Sequence, residues 1–73
     1  MNIEFFLVDI TQQDIEKIGL VDNITKTKDL QIVRNYLNKV EKKVEIYVDG
    51  RKHQVIGDVY SLERFERKLS CCH

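Results

Sequence analysis

The chain has no proline, no tryptophan and no alanine, three glycines, and two cysteines that stand side by side near its end. Without spaced cysteines there is no disulfide framework, which points to a reducing compartment. Neither sign of charge is in excess: 12 basic residues balance 12 acidic ones. Such a balance gives no general attraction to nucleic acid or to an anionic membrane. The most hydrophobic stretch, Ile3 to Ile10, is too short to span a bilayer and is flanked wrongly for a signal peptide. The expectation is a soluble, cytoplasmic protein without membrane contact. There is no Gly-rich phosphate loop or other recognised catalytic motif. No internal repeat, linker or low-complexity tract is present. At 73 residues the chain makes one domain, burying only about 60% of its unfolded surface. The domain is read as residues 1–70, with 71–73 as a flexible tail.

What is there organises around Val44 to Leu69. Val44, Ile46 and Val48 alternate with Glu45, Tyr47 and Asp49, the period of a half-buried strand. Asp49-Gly50 suits a two-residue type I′ turn. That turn predicts a hairpin, Val44–Tyr60, pairing Val48 with Arg51, Ile46 with His53 and Val44 with Val55. Gly57 interrupts the return strand and suggests a bulge or bend. Ser61 reads as the N-cap of a helix to Leu69, with Leu62, Phe65 and Leu69 on its apolar stripe.

Upstream, Ile3, Phe5 and Leu7 point one way and Phe6, Val8 and Ile10 the other. A strand apolar on both sides is normally buried on both. Thr11, with Asp14 three residues on, opens a helix that Gly19 closes, with Leu20 and Val21 packing back on its end. Asp22–Lys28 reads as polar turn. A second helix carries Leu30, Val33, Leu37 and Val40, widened by Ile32 and Tyr36, with Thr27 as its N-cap.

The order is β-α-α-β-β-α, an α+β domain: a small antiparallel sheet of three strands with helices on one face. In that arrangement the first strand falls at an edge, against its composition. An exposed apolar edge has to be covered or paired. One resolution is a homodimer, or a partner's strand, completing the sheet along Ile3–Ile10; the other is cover by helices of the same chain.

Chemistry is sparse. Cys71, Cys72 and His73 resemble metal ligands, but adjacent residues project apart and zinc wants about four spaced donors. His53 lacks a nucleophile or acid placed for general-base work. Asp9, Asp49 and Asp58 sit at turns or strand ends, where turn propensity accounts for Asp49. No catalytic residue, metal or cofactor is assigned. Gln12–Lys28 matches a helix-turn-helix poorly. Arg51, Lys52, His53, Arg64, Arg67 and Lys68 could form a basic patch, but Glu63 and Glu66 are interleaved with it. The candidates for contacting a partner are Tyr47, Glu45, Asp49, Arg51, Lys52, Tyr36 and Tyr60, because tyrosine joins a large apolar body to a polar tip.

Composition favours residues with A/T-rich codons, as in a low-GC bacterium or its phages. The reading is therefore a non-enzymatic protein-binding module, of the kind phages and mobile elements use to inhibit or regulate a host protein. Two alternatives stand beside it: a nucleic-acid-binding regulator using the basic patch, and a homo-oligomer that sequesters a small ligand.

Overall fold

Every helix starts at a short side chain that accepts from one of its free N–H groups. In the computed structural model, which describes residues 2–21 and 24–71 (backbone alone for 70 and 71), Thr11 caps α1 (Gln12–Ile18). Its hydroxyl accepts from Asp14 N, and the Asp14 carboxylate accepts from Thr11 N, closing the expected capping box. Gly19 ends α1 in the left-handed region, φ 77°. Asp29, not Thr27, caps α2 (Leu30–Lys39); the Thr27 hydroxyl instead accepts from Asp29 N. α3 runs Val59–Cys71, beginning two residues before the expected start. Asp58 is the reason: its carboxylate accepts from Ser61 N at 2.7 Å and outcompetes the Ser61 hydroxyl. The expected tail therefore begins inside a helix at Cys71, and residues 72–73 lie outside those described.

The sheet has four antiparallel strands in the order β2-β1-β3-β4. They are β1 (Ile3–Leu7), β2 (Lys26–Thr27), β3 (Val44–Val48) and β4 (Arg51–Ile56). The α+β class, the helices on one face and the rough order are those expected from sequence. The fourth strand, β2, is new: it lies in the segment read as polar turn, and pairs with Phe5 and Phe6. A two-residue strand leaves no alternation to detect. Its presence moves β1 from the edge to the centre of the sheet, where its composition belongs. The unpaired edge that suggested completion by another chain along Ile3–Ile10 is thus occupied, over Phe5 and Phe6, by this chain's own β2. The same strand stands where a helix-turn-helix would need its recognition helix.

The β3–β4 turn follows expectation, with Asp49 at φ 52° and Gly50 at φ 83°. Val48 pairs with Arg51 and Tyr47 with Lys52. The register then slips: Ile46 faces Gln54 and Val44 faces Ile56, so His53 is an extra residue. The bulge lies there and not at Gly57. Consequently Ile56 enters the core, Val55 turns outward at 44% exposure, and His53 is exposed where partial burial was expected.

The core lies between the sheet and the helices. Phe5, Leu7, Val44, Ile46 and Ile56 meet Ile18, Val33, Tyr36, Leu37, Leu62 and Phe65. Leu20 packs against this cluster, whereas Val21 is 95% exposed and does not pack back as expected. No helix among the described residues is long and apolar enough to cross a membrane.

Candidate functional site

The helices cover one face of the sheet and leave the other bare. Alternation sends Glu4 and Phe6 of β1, and Glu45 and Tyr47 of β3, to the bare side. Pairing then fixes their neighbours. Phe6 stands between Lys26 and Glu45, and Tyr47 stands between Lys52 and Glu4. The pattern repeats itself about a local two-fold axis between β1 and β3. The two rings meet edge to face at 4.9 Å, a favoured aromatic geometry. Lys26 bonds Glu4 at 3.3 Å, and Lys52 bonds Glu45 at 3.1 Å. Lys26 Nζ also lies 5.9 Å from the Phe6 ring centre. The surface is thus an aromatic centre framed by two ion pairs, with no net formal charge across those four charged residues.

Of the residues expected to meet a partner, Tyr47, Glu45 and Lys52 come together on this face. The others are elsewhere. Asp49 is occupied with Asn2, just before β1: its carboxylate accepts from Asn2 N at 2.9 Å and its own N–H donates to the Asn2 carbonyl. Arg51 opposes Val48 at the turn. Tyr60 is 65% exposed on α3, its ring 5.8 Å from the Arg64 guanidinium carbon. Tyr36 is corrected outright: it is fully buried, and its hydroxyl donates to the Val8 carbonyl at 2.6 Å. Its place on the apolar stripe of α2 outweighs its polar tip. Burial, helped by the charges of Asp14 and Asp9, pushes its pKa up to about 12.

Phe6 was not singled out in the sequence, because a strand read as covered on both faces hides an outward ring. The signal was Glu4, a carboxylate two residues away that must share Phe6's side of the strand.

The basic patch is divided. Lys52 is on the bare face, while Arg64 and Lys68 line a half-open cavity of about 310 Å³ with Gln54, Ser61 and Phe65. Glu66 does not pair along α3 but bonds Arg34 of α2 at 3.0 Å. Asp14 and Lys42 meet at 2.6 Å, and Lys42 also donates to the Asp9 carbonyl. The Lys42 hydrogen bond first, then the Thr11 N–H, holds the Asp14 pKa below its usual value. This network ties the start of α1 to the loop after α2 and is structural. Among the described residues no three His, Cys, Asp or Glu side chains gather as metal ligands. Asp9, Asp49 and Asp58 each serve a turn or a cap. Compared with models of known families, with curated proteins and with solved structures, the chain matches none.

Proposed function

We propose that the protein is a small non-enzymatic module that binds another protein through the bare face of its sheet. The observation that carries this is the Phe6–Tyr47 pair, half-exposed at the centre of that face and ringed by Lys26, Glu4, Lys52 and Glu45. An aromatic centre with a charged rim is the anatomy of a protein interface. Its near-neutral charge suits a protein partner better than a polyanion, whose binding rests on unpaired cations. The partner is a host protein and the module its inhibitor or regulator, in keeping with the A/T-rich codon bias and the small size.

The test is a tagged capture from a low-GC bacterial lysate, with nuclease, at low and moderate salt. A single host protein retained by the wild type and lost with Tyr47→Ala, in a variant whose circular dichroism is unchanged, supports the proposal. Retention by Tyr47→Ala removes the face from it. Signal that vanishes with nuclease or salt transfers the function to the nucleic-acid reading.

A further inference from the structure

β4 is an outer strand of the sheet, and its two halves differ. The half next to the turn carries Arg51, Lys52 and the His53 bulge. Charges and bulges of this kind keep foreign strands off an edge. The other half, residues 54–56, carries neither. Hydrogen-bond parity says which of its groups point outward. Asp49 N donates to the Asn2 carbonyl and Val8 N to the Lys43 carbonyl, so the odd-numbered residues of β3 bond β1. Ile46 and Val44 therefore bond β4, through Gln54 and Ile56. Val55, between those two, aims its N–H and C=O away from the sheet. Among the described residues no turn or cap bond uses either group. A cavity lies alongside, between β4 and α3, with Gln54 on one wall and Ser61, Arg64, Phe65 and Lys68 on the other. Neither wall holds a carboxylate, and β4 itself has none.

We propose that this edge accepts an extended acidic segment of another protein as a further strand of the sheet. Strand addition takes its affinity from main-chain hydrogen bonds and its selectivity from alternate side chains. A residue that pairs with Val55 puts its side chain on the bare face, beside the Val55 side chain, which is 44% exposed. Its two neighbours stand opposite Gln54 and Ile56 and point to the helix side. There Arg64 and Lys68 favour carboxylates. The segment is thus an apolar residue flanked on both sides by Asp or Glu. A second copy of this chain fits worse, because its β4 brings Arg51 and Lys52 to an edge that is already basic. The Phe6–Tyr47 centre takes no part, so this proposal does not rest on the one above.

The probe is a capped hexapeptide of alternating glutamate and valine, titrated into the full chain and followed by amide NMR. Separate arms use a lysine–valine peptide of the same length, and the glutamate–valine peptide N-methylated either at its valines or at its glutamates. The expected result is saturable shifts centred on Gln54, Val55 and Ile56, with slower exchange of the Val55 amide. Methylation at the valines, whose N–H groups face β4, abolishes binding; methylation at the glutamates, whose N–H groups face away, leaves it in place. The lysine peptide binds more weakly, and Arg64→Gln with Lys68→Gln costs about fivefold in affinity for the acidic one. Both cations are exposed, so the double variant folds. Lys17→Gln on α1 and Tyr47→Ala have no effect. No saturable shifts at millimolar peptide, or equal binding of the two methylated peptides or of the lysine peptide, overturns the proposal. Shifts at β4 that grow with chain concentration alone overturn it in favour of pairing between two copies. Binding lost with Tyr47→Ala overturns it by moving the peptide to the bare face.

Discussion

Single side chains decide more here than their number suggests. Tyr36 buries its ring among core residues and spends its hydroxyl on the Val8 carbonyl. Tyr36→Phe keeps the ring and orphans that carbonyl, so it should cost about 1–3 kcal/mol in urea unfolding. Two pH limits follow from the same neighbourhood. Tyr36 has a raised pKa, so its contribution is complete below pH 10.0 and is lost as pH rises through about 12. Asp14 has a lowered pKa, so its contribution is in place above pH 3.8 and is lost as pH falls through the folded value. A melting profile against pH should therefore decline at both ends, and Lys42→Met should flatten the acid side. The glycines separate just as sharply. At Gly57 an added methyl meets only Lys43 Cγ at 3.9 Å, so Gly57→Ala should stabilise by about 0.4–1 kcal/mol. Gly50 sits at φ 83°, and Gly50→Ala should cost about 1–2 kcal/mol.

At the level of elements, Asp58 governs where α3 begins. Asp58→Ala should cost about 1 kcal/mol and fray the first turn, visible as faster amide exchange at Ser61. Helices were the most legible elements because their signals are local: Thr11 with Asp14, Gly19, and the stripe Val33–Tyr36–Leu37 all lie within a few residues. Competition between two adequate caps, Ser61 against Asp58 or Thr27 against Asp29, is not local in the same sense. It is settled by where packing allows the first turn to form. The strands divide on the same principle. The hairpin and its turn were readable from Asp49-Gly50. The His53 bulge was not, since no glycine marks it and its reason is tertiary: it lets Ile56 drop into the core instead of Val55. β2 was invisible because two residues owe their strand conformation to β1, not to themselves. Of the candidate site, Tyr47, Glu45 and Lys52 could be placed on one face by alternation, but Phe6 and Lys26 needed the pairing of β1.

For the molecule as a whole, the division of labour between the two faces of the sheet makes a clear expectation. Tyr47→Ala should leave the core intact and cost about 0.5–1.5 kcal/mol for the lost Phe6 pair beyond its burial, and Lys26→Gln with Lys52→Gln about 1 kcal/mol at most. The arrangement of strands also dictates an order of events. β3 and β4 are neighbours in sequence, but β1 must find β3 across most of the chain: Leu7 meets Val44, 37 positions apart, and Ile3 meets Val48, 45 positions apart. During synthesis β1 is made well before its main partner, β3. Until β3 emerges, only the two residues of β2 can pair with it, and Phe5, Phe6 and Leu7 wait unprotected. Closure of the sheet's centre is then the slow, high-separation step of folding, and the nascent chain is at its stickiest just before it.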